Sequence, residues 1–474
     1  MSPFLVLIAG ILFIIVSIVF LKIHPFIALI LAAILVGLIS PVPLAGDGTV
    51  PGVGQAVQAV ELTAVEFGST AAAIGIVIAL AAVIGQCLMD SGAADKITRR
   101  ALAVFGEKRS PLALLSSGYI LAIPVFFDTV FFLLIPLARA LRVRTGKNYV
   151  HYVMAIGAGG VITHSLVPPT PGPLLMVAAL PGLSLGTAIG LGFLLGIGPA
   201  LVAGTFFASY INRKVNIPFR EVAGSSQAEL QAIVDRPEGH LPGFFFSILP
   251  VLLPVALITG DTILQSFQAS SELALSPGLL QASSFLGNKN VALFLGTFFA
   301  IGLLMRHKKL SLQQLQDRLE PAMLSAGIII LITSAGGAFG KMLARTGISE
   351  ALQQTTGDFG GQGVFYILLA FGLASTMKIA QGSGTVAMIT TSAMMAAILG
   401  QGTTLPFHII YIFAAIAFGS LVVSWMNDSG FWVVGKMSGF TEKETLTVWT
   451  LLLAFIGICG LIEVLFLSWL FPLA

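Results

Sequence analysis

Charge is what this sequence has least of. Only 24 Lys or Arg and 21 Asp or Glu occur in 474 residues, 9% of the chain, against the ~25% usual in soluble domains. That scarcity excludes an ordinary cytosolic enzyme. No Lys, Arg, Asp or Glu occurs from Asn148 to Asn212 or from Ile379 to Asn427, and each run is far longer than the ~20 apolar residues a spanning helix needs. The chain reads as an all-α polytopic membrane protein. Its net charge of +3 is scattered over several loops, which speaks for membrane orientation and against a nucleic-acid partner. Only two cysteines are present, Cys87 and Cys459, both inside apolar runs, so no disulfide framework or Cys-based metal site is implied. The sequence has no Gly-x-x-x-x-Gly-Lys-Ser/Thr loop for driving transport with a nucleotide. It also has no nucleophile–base motif or His/Asp/Glu metal spacing, so neither an enzyme nor a resident cofactor is expected.

What is present is a pattern of long apolar runs with interruptions. Pro3 to Leu21 lacks the basic start of a cleaved signal and reads as a first span. The loop expected from Ser40 to Gly68 carries Asp47, Glu61 and Glu66 without a Lys or Arg, whereas Asp90 to Arg109 is rich in both. By the positive-inside rule the first is external and the second cytoplasmic, leaving both termini periplasmic. The run from Pro111 to Leu141 has basic loops on both sides, is too short for two spans, and breaks at Ile-Pro-Val-Phe-Phe-Asp (123–128). A re-entrant helical hairpin fits it best. The next run breaks at Val-Pro-Pro-Thr-Pro-Gly-Pro (167–173), where the prolines remove donors and clash with the preceding turn. Asp95 to Phe105, and a counterpart near Thr346 to Thr356, read as interfacial helices.

The second half repeats the first. Gly85–Gly92 aligns with Gly340–Gly347, Asp128-Thr-Val with Gly384-Thr-Val, His151 with His408, and Ser165-Leu-Val with Ser420-Leu-Val, at a nearly constant offset. Each half then has about five spans, one hairpin and one interrupted helix, and an odd number of crossings inverts the second copy. The expected units are residues 1–212, a cytoplasmic linker at 213–242, and an inverted repeat at 243–474. Such a plan is that of a secondary transporter with its site at the repeat interface.

Four breaks at one depth create one polar chamber. Helices that restart after a break offer free N–H groups and a positive dipole end, which favours an anion. Candidate substrate contacts are Thr129, Ser165, Thr170, Gly172, Gln381, Gly382, Ser383, Gly384, Thr385, Asn427 and Ser429, a lining suited to a polyhydroxylated carboxylate. Lys378 either attracts that carboxylate or pairs internally. Asp128, the only charge between Ser110 and Ala138, either carries a coupling proton or caps the second hairpin helix, and Asp428 has the same two readings. His164 either titrates in the cycle or packs as a hydrogen-bonded core residue. Glu463 reads as structural or as near the external interface. A passive anion channel would use the same helix ends, and sodium would suit the unwound carbonyls near Asn427, Asp428 and Ser429.

Four stretches resemble the gluconate permease family, gluconate:proton symporters of the larger ion transporter superfamily: GYILAIPVFFDTVFFLLIPLARAL from Gly118, THSLVPPTPGPLL from Thr163, KIAQGSGTVAMITTSA from Lys378 and NDSGFWVVGKMSG from Asn427. With the span order, the likeness covers essentially the whole chain. The resemblance implies uptake of sugar acids or small hydroxy-acids with protons across a bacterial inner membrane. It further implies a homodimer in which a transport domain moves, elevator-like, against a scaffold. Two departures bear on the substrate. Thr170 stands where the family typically has a histidine in Pro-Pro-His-Pro-Gly-Pro, and Lys378 stands where an Arg often precedes the glycine-serine tip.

Overall fold

Four breaks, three of them at proline or glycine, divide the helices of this chain into shorter pieces. The computed structural model describes residues 2–44, 54–215, 217–220, 241–269, 276–348, 351, 363–400, 404–426 and 428–473. All regular structure among them is helical. The first half holds α1 (Pro3–Ile15), α2 (Pro25–Leu38), α3 (Gln55–Ser91), α4 (Ala93–Phe105), α5 (Ser110–Leu121), α6 (Phe127–Thr145), α7 (Tyr149–Leu166), α8 (Pro171–Ala179), α9 (Leu185–Leu201) and α10 (Ala208–Lys214). The second half holds α11 (Phe244–Ala269), α12 (Pro277–Leu286), α13 (Lys289–Lys308), α14 (Leu312–Ala344), α15 (Gly363–Gln381), α16 (Gly384–Leu399), α17 (Ile410–Gly419), α18 (Ser429–Ser438), α19 (Glu442–Thr445) and α20 (Leu451–Leu470).

Seven helical runs among the described residues are long and apolar enough to cross a bilayer: 55–91, 149–179, 185–214, 244–265, 289–308, 312–344 and 442–470. The chain is therefore a multi-pass membrane protein. Helices α1 and α2 are also apolar but shorter. At ~1.5 Å per residue, the 12 residues of α5 reach only ~18 Å, well under the ~30 Å hydrocarbon core. A short helix followed by a break is what the hairpin expectation requires of this segment.

One sequence expectation needs correction. The stretch from Ser40 to Gly68 is not all loop, because α3 already begins at Gln55. Its start is tied to the end of α2, Gln55 Nε2 donating to the Gly37 carbonyl at 3.1 Å and the Ser40 carbonyl at 3.3 Å. Glu66 becomes part of a helix packed on α14, where its Oε1 meets Arg345 Nη2 at 2.6 Å and its Oε2 meets Lys341 Nζ at 3.0 Å. A carboxylate with two cationic partners, Lys341 on α14 and Arg345 at its end, is compensated rather than left as a lone charge. Of the linker at 213–242, Arg213 and Lys214 end α10, and residues 221–240 lie outside the described residues. Arg220 forms a two-pronged ion pair with Glu444, at 2.6 and 2.9 Å. Its carbonyl accepts from the buried Arg139 at 2.6 Å. The second interfacial helix expected near Thr346 to Thr356 falls largely outside the described residues, whereas α4 covers the first.

The long helices α3 and α14 lie along each other with α2 against α14, while α5 packs on α7 and α15 on α16 and α17. Several of these crossings depend on glycine. A Cβ on Gly159 of α7 would stand 2.2 Å from the Leu115 carbonyl oxygen of α5, and one on Gly340 of α14 would stand 2.0 Å from the Ala393 Cβ of α16. Backbone against backbone leaves no flexible atom to give way. Gly159→Val is therefore expected to lose about 1–3 kcal/mol or more through overpacking and to lower the melting temperature of the detergent-solubilised protein. Gly302→Ala, in a helix where nothing lies within 4 Å of the new Cβ, should leave it unchanged or raise it. Equal melting curves for the two variants would contradict this account of the crossing.

Candidate functional site

The site is assembled from four helix starts. α7 stops at Leu166 because Val167 is extended (φ −118°, ψ 115°) and Pro168 and Pro169 follow without donors. α8 restarts with Pro171 in its first turn, where a missing N–H costs nothing. The hydroxyl of Thr170 donates to the carbonyls of His164 at 2.7 Å and Val167 at 2.9 Å, satisfying acceptors that the end of α7 leaves open. In the second half Gly382 turns the chain at φ +84°, a left-handed conformation that favours glycine. Ser383 then caps α16 by accepting from Val386 N at 3.2 Å. Asp428 caps α18, its Oδ1 accepting from Gly430 N at 3.1 Å, as one of its two sequence readings held. For α6 the cap position is Phe126 without a side-chain bond, and Asp128 sits in the first turn.

These starts face one cavity of about 430 Å³. Its wall includes Asp128 and Thr129 of α6, His164 and Ser165 of α7, Pro171 of α8, Ser383, Gly384 and Thr385 of the α16 start, and Asp428 and Ser429 of the α18 start. Residues chosen from both halves of the sequence thus meet in space. Lys378, only 3% exposed, also faces the cavity but is not a free cation. Its Nζ donates to Asp428 Oδ2 at 2.7 Å and to the Gly382 carbonyl at 2.6 Å. The Ser424 hydroxyl donates to the same Oδ2, and Trp449 Nε1 donates to Ser424 Oγ at 2.9 Å. Asp428 is thereby neutralised and held. Asp128 has neither an ion pair nor a hydrogen bond to its carboxylate among the described residues, so it is the unbalanced charge of the cavity. His164 lies edge-on to Phe126 with ring centroids 5.9 Å apart, and its Nδ1 is enclosed without a partner among the described residues.

Some expected contacts stand elsewhere. Thr170 is buried with its hydroxyl committed to backbone and does not line the cavity. Gly172 serves the packing of α8 on α16, since a Cβ there would be 2.4 Å from Met388 Cε. Gly382 contributes its carbonyl to Lys378 rather than a surface to the cavity. Asn427 and the side chain of Gln381 lie outside the described residues. Glu463, on α20, is neither at this cavity nor free of the interior, its Oε2 being enclosed without a partner among the described residues. Sequence reasoning missed the wall that α14 supplies, with Ser325, Ile329 and Thr333. Their four-residue spacing places them on one helical face, but the stretch around them, Ala322 to Gly340, carries no charge to mark which face meets a cavity.

The description "GntP family permease" matches residues 2–470 of the chain. The chain is 32% identical to an uncharacterized permease of Haemophilus influenzae over 433 residues, covering 90% of this chain and 84% of that one. It is 30% identical to the low-affinity gluconate transporter of Escherichia coli strain K12 over 442 residues, covering 93% and 92%. Among solved structures its fold is similar to that of MtrF of Neisseria gonorrhoeae, presented as one of a class of antimetabolite efflux pumps. That match has a TM-score of 0.63 at 15% identity over 95% of this chain and 96% of that one.

The Lys378–Asp428 pair makes a separable prediction. Lys378→Met leaves a carboxylate unpaired in a low-dielectric site and is expected to cost about 3–5 kcal/mol. Lys378→Met combined with Asp428→Asn should recover most of that loss. Thermal melting of the three purified proteins measures it, and a double variant no more stable than Lys378→Met would show that the pair is not what holds this region.

Proposed function

The chain belongs to the GntP family of permeases, and from that premise we propose that it imports gluconate or a closely related sugar acid by proton symport across the bacterial inner membrane. It is a membrane transporter and not an enzyme. The observation that carries the reading is the unpaired Asp128 in a cavity ringed by helix starts, beside a Lys378–Asp428 pair that already balances itself. Each helix start favours an anion by up to ~2 kcal/mol, and hydroxyls of Thr129, Ser165, Ser383, Thr385 and Ser429 offer partners to a polyol chain.

An ionised Asp128 opposes the incoming carboxylate. Two unit charges ~6 Å apart at an effective dielectric of ~20 repel by about 3 kcal/mol, so binding the anion favours a proton on Asp128. The charge of the site is then the same in both states: one ionised carboxylate when empty, one ionised substrate when loaded. Constant charge keeps the cost of moving the site through the low-dielectric layer equal in both directions. Asp428 is less suited to this role because Lys378, Ser424 and Gly430 hold its ionised form. His164 remains the alternative proton carrier on the same wall.

The remaining parts of the reading follow the same plan. Units 1–212 and 243–474 are inverted repeats joined by the cytoplasmic linker 213–242, the termini are periplasmic, and two copies associate. The recurrence of hairpin (α5–α6, α15–α16) and interrupted helix (α7–α8, α17–α18) in the same order supports the repeat. Elevator-type movement draws support from the cavity lying between the long elements, α14 and the final span with Trp449 and Leu453, and these short, broken ones.

Uptake of labelled gluconate into proteoliposomes tests the reading. Saturable accumulation is expected with an inward proton gradient and not with a sodium gradient. Asp128→Asn should lose accumulation while keeping gluconate counterflow. Sodium-driven accumulation, or flux that never saturates, would overturn proton symport, and wild-type accumulation by Asp128→Asn would remove Asp128 from the coupling. Thr170→Val should lower stability by about 1–2 kcal/mol without changing the ranking of competing acids, as expected of a residue whose hydroxyl ties backbone.

A further inference from the structure

A groove away from this cavity has its own chemistry. Between α9 and α10 the helix widens into a π-helical turn over Val202–Phe207, a departure frequently found at functional positions. One side of that turn is pressed onto α5, where a Cβ on Gly204 would stand 2.4 Å from Leu115 Cδ1. The other side opens a groove of about 610 Å³, lined among others by Leu112, His151, Phe206, Ser209, Tyr210 and Arg213. Phe206 is 75% exposed and Tyr210 57%, so the groove continues into the apolar outer surface. At its polar end the ring of His151 is held by the Gly204 backbone, with its Nε2 enclosed. Arg213 there makes neither a hydrogen bond nor an ion pair among the described residues.

The chain segment that forms most of this end carries formal charge of one sign. No Asp or Glu occurs between Asp128 and Glu221. The basic α6–α7 turn with Arg142 and Lys147 is fastened beside the groove through Asn148, whose Oδ1 accepts from Asn212 Nδ2 at 3.3 Å. Asn212 Oδ1 in turn accepts from His151 N at 3.3 Å. Lys214 lies 5.9 Å from the Tyr210 ring centre. Basic pockets between spanning helices suit anionic lipid headgroups, at about 1 kcal/mol for each nearby cation, and an exposed aromatic pair beneath them suits the interface.

We propose that this groove is a binding site for one anionic phospholipid, with Arg213 taking the phosphate and the Phe206–Leu112 side taking acyl chain. A free phosphate has no use for the exposed apolar half. A second protein copy seated here by two-fold symmetry would bring its own cations against these. The site is independent of the transport reading and stands whether or not gluconate is the substrate.

Native mass spectrometry of the full chain, purified with phosphatidylglycerol or with phosphatidylcholine of the same acyl chains, tests it. One phosphatidylglycerol should survive delipidation that strips phosphatidylcholine. Arg213→Gln should cut its retention by about tenfold. Arg306→Gln, at the basic end of α13, should leave retention unchanged. Size-exclusion profiles check that each variant is folded. Equal retention of the two lipids, phosphatidylglycerol retention unaltered by Arg213→Gln, or its displacement by inorganic phosphate would each overturn the proposal.

Discussion

Everything in this structure follows from the demand that backbone broken inside a bilayer must still satisfy its N–H and C=O groups. Each of the four breaks meets that demand differently. Thr170 closes the end of α7 with its hydroxyl, Ser383 and Asp428 cap α16 and α18, and the Gly382 carbonyl accepts from Lys378. Two of these four starts have no side-chain cap, that of α8 at Thr170 and that of α6 at Phe126. Here the uncommitted donors and the unpaired carboxylate of Asp128 face the same cavity. What remains unsatisfied is therefore gathered where a polar ligand can complete it.

The cations and anions of the interior divide into two kinds. Lys378 with Asp428, and Lys341 and Arg345 with Glu66, are closed pairs that fasten elements distant in sequence. They hold shape at the price of desolvation. Among the described residues Asp128 and Glu463 are open, and of the two only Asp128 lines the cavity. Asp128 has no such contacts to lose, whereas the Asp428 carboxylate is tied to Lys378, to Ser424 and, through it, to the indole of Trp449.

Packing supplies the remaining constraint. With so little charge, close approach of backbones does what surface polarity does in soluble proteins, and Gly159, Gly336 and Gly340 stand where α5, α7, α14 and α16 come nearest. Small residues at helix crossings are the means by which spanning helices gain dispersion contacts when lipid offers no hydrophobic drive.

The amino-acid sequence by itself determined the class of protein, the number and order of the breaks, and nearly all the polar groups near them, because proline, glycine and scarce charge act locally and leave a direct mark. Asp128, Ser165, Ser383 and Ser429 were legible for that reason. The same local logic misjudged Ser40 to Gly68, where α3 begins at Gln55, tied to the carbonyls of Gly37 and Ser40, and Glu66 meets two cations of the other half of the chain. It offered Thr170 as a ligand contact when the hydroxyl turns to its own backbone. Only the tertiary structure decided that Lys378 is paired while Asp128 is not, and that α14 walls the cavity. Those facts depend on which distant side chains come within ~3–4 Å, and neither periodicity nor composition carries that distance.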